Sequence, residues 1–459
     1  MSTIEQVQFG LEIWTIVQCL AGFLSIFFVC CRVCQTNKKV VDLPSCVLVV
    51  PMYLPNEEKI AFNALKHAAK QNVNRIHIVF NTPHDMPKIE TELQELARNL
   101  STSERPINVT RVLESVSKAA NLNYAVNVAT ESHMLIYDVD HRIINDGCTL
   151  LRQRLASHED ALGVSGVLGI RGDGCFDRFL DAMEWSNWVL FMTMQSVFIG
   201  SYIFGGSNAI WHTDVLRELL FDEKLLLEDM DITIRALCKY PTRSLLCERN
   251  ARCTELSASG FRALWNQRMR WMMGWEQLAW CRFYRVVKKR PRMIMIWVFR
   301  YASLIAACVT ITRFLYEIVS SSQFESIPSV QSSFVVSVPI KISLAIVSIV
   351  TYVLLVITWI FVQCETFARA TAILLFTASS PILIYAFVLM NFISIIRIHC
   401  TSKSPTWIVT TRSNEPNLQQ TKTVEDANFY KMSLNKIMEN GKGDEGLTSV
   451  LAVQIVNHT

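Results

Sequence analysis

The sequence predicts an α/β domain with a mostly parallel sheet, set between apolar segments suited to a membrane. Three observations lead there. Strand-like apolar runs alternate with helix-like ones between about Asp42 and Tyr284, a pattern that implies crossover connections and helices on both faces of a sheet. Hydrophobic residues make up 51% of the 459 residues and charged ones only 18%, whereas a soluble domain is about a quarter charged. The excess apolar residues also gather in long runs outside the α/β segment.

The first run, about Leu11–Cys31, is long enough to cross a hydrocarbon layer about 30 Å thick. Met1–Gln8 carries no Lys or Arg, and the run is too long for a cleaved leader, so residues 1–35 read as an uncleaved anchor. Arg32, Lys38 and Lys39 follow it and put the next segment in the cytosol. That segment, 36–262, opens with an apolar strand at Cys46–Val50. A helix at Ile60–Gln71, a strand at Arg75–Phe80, a helix at Ile89–Leu100 and a strand at Met134–Tyr137 come next. Ligands of such folds gather at the carboxyl ends of the strands.

Residues 263–292 mix Trp275, Trp280, Phe283 and Tyr284 with Arg282 and Arg285, which suits a helix lying in a membrane interface. Lys288, Lys289, Arg290 and Arg292 complete a basic collar. The stretch 293–400 holds three apolar runs, about Met293–Val319, Phe334–Val362 and Phe367–Ile396. Three full crossings from a cytosolic collar would leave the polar tail, 401–459, outside. A cytosolic tail requires one run to be interfacial or to turn back, and Pro339 and Pro381 are candidate breaks.

The net charge of +4 gives no global electrostatic case for nucleic acid, and none is expected as a partner. Of the 14 Cys, Cys31 and Cys34 have the spacing of half a zinc site but lack a second pair nearby. They read as membrane-adjacent thiols.

Four segments could carry chemistry. Asp138-Val139-Asp140 ends a strand, where two carboxylates can share a divalent cation; the plainer reading is a solvated turn. Glu228-Asp229 opens a helix and offers a general base; the plainer reading is charge complementing the helix dipole. Gly205-Gly206-Ser207-Asn208 lets backbone approach a ligand, or is an ordinary turn. Gln267-Arg268-Met269-Arg270-Trp271 combines phosphate-binding Arg with a ring suited to a sugar face, or anchors at the membrane surface.

Their order and spacing resemble those of the processive family-2 glycosyltransferases, which include cellulose, hyaluronan, chitin and mannan synthases. The resemblance covers roughly Val41 to Arg412. It implies a GT-A catalytic domain on a transmembrane channel, in an integral, multi-pass plasma-membrane protein. It implies transfer from a nucleotide-sugar, such as UDP-glucose or UDP-N-acetylglucosamine, to a growing β-linked polysaccharide. Residue by residue, it makes Asp229 the base, with Glu228 beside it. It assigns Pro51, Tyr53, Glu57, Asn81, Lys118, Asp138, Asp140, Arg268 and Arg270 to the donor. Asp138 and Asp140 would hold Mg2+ or Mn2+. Gly205, Gly206, Ser207, Asn208, Gln267 and Trp271 would face the acceptor sugar. Glu255 resembles an acidic residue found shortly before the Gln-Arg-Trp helix, and Trp407, Thr410 and Arg412 a gating loop. Asn81 stands where many relatives have an Asp-rich turn that reads the base, which leaves GDP open beside UDP. The alternative is a non-processive lipid glycosyltransferase of the ceramide glucosyltransferase or polyprenyl-phosphate sugar synthase type.

Overall fold

β1 (Cys46–Tyr53) is buried at every position but the last, and a strand apolar on both faces belongs inside a covered sheet. The computed structural model puts it there, third in the sheet with a strand on either side. The structure describes residues 42–305, apart from 145, 186, 189–191, 299, 302 and 303, together with residues 386–400. The anchor expected at 1–35, most of the apolar stretch 293–400, and the tail with Trp407, Thr410 and Arg412 lie outside the described residues.

After β1 the chain forms α1 (Leu54–Ala68), β2 (Arg75–Asn81), α2 (Pro87–Leu100), β3 (Ile107–Arg111), α3 (Lys118–Val128) and β4 (His133–Ile136). It continues through β5 (Arg142–Ile143), α4 (Gly147–Ala156), β6 (Ala161–Arg171), α5 (Cys175–Trp185) and α6 (Met192–Ile199). Then come β7 (Ala209–His212), α7 (Thr213–Leu219), α8 (Glu228–Lys239), β8 (Ser244–Leu256) and α9 (Phe261–Lys289). α1 begins six residues before the expected Ile60. Its start is set by Pro55 in the first turn and by Glu57, whose Oε2 accepts the Tyr53 N–H at 2.7 Å.

The eight strands lie in the order β3-β2-β1-β4-β7-β6-β8-β5. β1 runs parallel to β2 and β4, and β2 to β3. β7 is antiparallel to both β4 and β6, and β5 to β8, whereas β6 and β8 are parallel. The sheet is therefore mixed, which corrects the expected mostly parallel sheet. A four-residue apolar run such as β7 has a period but no readable direction.

Leu48, Phe80, Leu135, Ile136 and Trp211 are fully buried in the main core, and each contributes about 1.5–3 kcal/mol by leaving water. That core fixes the strand ends from which the site residues project. α9 buries Met269 and Met273 against Leu226 and against Met390 of the helical stretch 386–400. Glu276, in the middle of α9, accepts hydrogen bonds from Trp280 Nε1 at 3.1 Å and Tyr301 Oη at 2.9 Å, and His399 Nε2 lies 3.0 Å away. No helix among the described residues is long and apolar enough to cross a membrane.

Candidate active site

Four segments meet at the carboxyl ends of β1 and β4. Directly after β4, Tyr137 donates its backbone N–H to Val49 O, which keeps the chain on the sheet until Asp138. The Asp138 N–H then donates to Ser207 Oγ at 3.0 Å. This places the expected acidic motif against the Gly205–Asn208 turn.

Lys118 is the first residue of α3. Ser117 caps the helix by accepting the Ala120 N–H, which aims the Lys118 side chain across the strand ends. Its Nζ lies 2.5 Å from Asp138 Oδ1 and donates to Gly206 O at 2.8 Å. Burial opposes its charge, but Asp138, Glu228 and Asp229 outweigh that and push its pKa up to about 12. Lys118 is a fixed cation at neutral pH.

Glu228 and Asp229 open α8, as expected. Burial, then the neighbouring Glu228 charge, raise Asp229 from 3.8 to about 7, against the pull of Lys118. Burial also raises Glu228, opposed by Lys118 and Arg270, so Arg270 of α9 belongs to the same cluster. Gly206 has φ +85°, and a Cβ there would stand 2.8 Å from Asp229 Oδ2. Only glycine lets the turn pass so close to that carboxylate.

Other expected contacts sit behind this cluster. Asn208 is fully buried: Tyr137 Oη donates to its Oδ1 at 2.6 Å, and its Nδ2 donates to Val167 O and Ala251 O. It holds the turn from beneath and does not face an acceptor. Arg268 is buried in an ion pair with Glu184 of α5, and its guanidinium stacks 4.1 Å from the Trp271 ring. It braces α9 and does not face a diphosphate. Gln267 is buried next to it, and Trp271 packs partly buried against the main core. Asn81 is buried too, donating to Ser115 O at 3.2 Å and accepting from Asn121 Nδ2 at 2.8 Å. Pro51 and Tyr53 end β1, with Glu57 turned back onto Tyr53.

Asp140 has a different set of neighbours from Asp138. Its Oδ1 lies 3.8 Å from His141 Nε2, and Glu255 Oε2 lies 3.5 Å from the same nitrogen. Among the described residues, Asp140, His141 and Glu255 form the one group able to share a metal ion: all three are buried, and one donor atom of each lies within 4.8 Å of the others. The other ring nitrogen, Nδ1, is 2.6 Å from Ser207 Oγ. Burial opposes a charge on His141, while Cys253, Glu255 and Asp140 outweigh it and raise its pKa well above 6.5.

Sequence reasoning missed His141, Glu184 and Asn121. His141 had a signal, since it directly follows the second carboxylate of the motif. Glu184 had none, because its partner Arg268 is distant in the chain, and Asn121, though close in sequence to its partner Ser115, meets Met52 and Asn81 only through the fold.

Residues 133–400, more than half of the chain, match the family model described as glycosyl transferase family group 2. Among solved structures, the chain resembles the mannosyltransferase PcManGT from Pyrobaculum calidifontis, determined in complex with GDP-Man and Mn2+. The TM-score is 0.53 at 16% identity, over 83% of this chain and 98% of that one. A mycobacterial protein overlays with a TM-score of 0.35 at 12% identity, over 50% of this chain and 73% of that one. At such identities the likeness is one of fold, and only the first carries weight. No curated protein sequence matches significantly.

Proposed function

Starting from a chain that belongs to glycosyl transferase family group 2 and is therefore a glycosyltransferase, we propose that it takes a sugar from a nucleotide-sugar and adds it, with inversion, to a growing β-linked glycan at a membrane. One observation carries this reading. Lys118, Asp138, Gly206 and Asp229 meet, so that a proton acceptor stands beside a fixed cation at the sheet's carboxyl edge.

Asp229, raised to about 7, is matched in strength to a general base working near neutrality. An acceptor hydroxyl attacks the anomeric carbon as the bond to the diphosphate breaks, and its proton passes to Asp229. Lys118 and Arg270 add positive charge where negative charge develops on the leaving group. Gly206 leaves space beside Asp229 for the acceptor. Mg2+ or Mn2+, held by Asp140 and its neighbours, would neutralise the diphosphate. One imidazole and two carboxylates within 4.8 Å of one another are a donor set that fits such an ion.

The exposed face of α9 supports a membrane setting. Trp280, Phe283, Tyr284 and Val287 are exposed there beside Arg285, Lys288 and Lys289, a combination suited to an anionic lipid surface. An integral, multi-pass plasma-membrane protein with a cytosolic catalytic domain is the arrangement we propose. Processive synthesis is supported by the order of the sequence motifs and the segment Trp407–Arg412. UDP is the proposed nucleotide, with GDP the alternative.

The test is incubation of the purified full chain with a panel of UDP- and GDP-sugars, measuring diphosphate release and sizing the product. A polymer supports the proposal. A single sugar on lipid replaces it with a non-processive lipid glycosyltransferase. No transfer from any donor overturns both.

A further inference from the structure

We infer that Arg282, expected from the sequence to serve the membrane interface, is instead a positioning residue: with Asp231 it clamps the helix that carries Asp229 to α9, and so sets the proposed base against Lys118. The inference rests on the transferase reading for the role of Asp229, and on geometry alone for the clamp.

The clamp is built on a fully buried carboxylate. Asp231 lies two residues after Asp229, in the first turn of α8, and its side chain is closed off from solvent. Each of its oxygens takes one guanidinium. Arg235 Nε donates to Oδ2 at 2.6 Å, and Arg282 Nε donates to Oδ1 at 2.5 Å. The first contact lies within α8, one turn along; the second crosses from α9. A buried charge is tolerated only when paired, so α8 and α9 cannot part at Asp231 without stranding one.

Both arginines also hold the loop that leads into α8. Arg282 Nη2 donates to Asp222 Oδ2 at 2.8 Å. Arg235 donates to Leu219 O at 2.6 Å and to Leu220 O at 2.5 Å. Leu220 has φ +51°, a conformation that a β-carbon disfavours and that these bonds maintain. Asn123 grips the same loop from α3: it accepts the Phe221 N–H at 2.7 Å and donates to Phe221 O at 3.0 Å. Lys118 opens α3. The loop 219–222 is therefore held by α3, α8 and α9, the three helices that carry Lys118, Asp229 and Arg270.

Arg282 differs from its neighbours on α9. Phe283, Tyr284 and Arg285 are exposed, whereas only 18% of the Arg282 side chain is. Two of its nitrogens are spent on carboxylates of the catalytic domain, which leaves it poorly suited to a lipid headgroup. A displacement of α9 thus reaches the first turn of α8 through one side chain. A misplacement of about 1 Å at a reacting group can cost about 10²-fold in rate.

Hydrogen exchange and steady-state kinetics test this on the full chain in phosphatidylcholine vesicles, with and without phosphatidylserine. Arg282→Gln should speed exchange of the amides in the first turn of α8 at least about tenfold while β1 stays protected. It should lower kcat about 10–10²-fold and leave donor affinity within about threefold, equally in both kinds of vesicle. Asp231→Asn should do the same, and the double variant should lose no more than the worse single one, because both act through one contact. Asp222→Asn, at the partly exposed end of the clamp, is a milder variant that keeps the test open where the others fail to fold; it should lower kcat less and in the same direction. Unchanged exchange in every folded variant, single losses that multiply in the double variant, or a kcat loss confined to phosphatidylserine vesicles, as a lipid anchor would give, overturns the inference. Faster exchange in α8 in a chain that transfers no sugar would leave the clamp standing and remove the transferase reading.

Discussion

Lys118 Nζ lies 2.5 Å from Asp138 Oδ1 and also donates to the carbonyl of Gly206. One side chain thus joins the acidic motif, the glycine turn and, through charge, the Glu228–Asp229 pair. Lys118→Met removes the cation that the proposed mechanism sets against the leaving diphosphate. The turnover number should fall about 10²–10³-fold, the usual loss for one such electrostatic donor. Initial rates at saturating donor measure it, and a loss confined to KM contradicts the assignment.

The pH profile follows from Asp229. Burial and the Glu228 charge raise its pKa to about 7, and only the deprotonated form accepts a proton. Activity should therefore rise with pH through about 7 and level off above it. Glu228→Gln removes the neighbouring negative charge, so the midpoint should move to lower pH. A midpoint that moves upward in that variant contradicts the coupling.

Gly206→Ala puts a Cβ 2.8 Å from Asp229 Oδ2 at a φ of +85°. The left-handed conformation alone costs about 1–2 kcal/mol for a residue with a side chain. Activity should drop more than that destabilisation explains, because Asp229 must also shift. Wild-type turnover in a protein with a lowered melting temperature counts against this contact.

Arg268→Ala tests the role of the Gln-Arg-Trp helix in a different way. Its guanidinium is buried against Glu184, and removing one member of a buried pair costs about 3–5 kcal/mol. The melting temperature should fall sharply. Joint replacement by apolar residues, Glu184→Leu with Arg268→Met, should recover much of the loss. A stable Arg268→Ala variant with weakened donor binding would instead return Arg268 to the diphosphate.

Much of this was legible in the chain. β1 and β2 are apolar enough to announce themselves, and Lys118, Asp138, Glu228 and Asp229, named from motif order, come together in space. Three things were hidden. The direction of β7 depends on how the chain enters the sheet, which four residues do not encode. Asn208 and Arg268 carry groups that commonly bind ligands, yet both are spent inside the fold. His141 and Glu255 are far apart in sequence, and only the pairing of β5 with β8 sets them together.

The most direct test of the central claim is Asp229→Asn, with donor binding by calorimetry and sugar transfer measured on the same preparation. Donor affinity should stay close to wild type while transfer falls by about 10²–10⁴-fold, the span of general-base catalysis. Near-normal transfer in that variant would contradict Asp229 as the base.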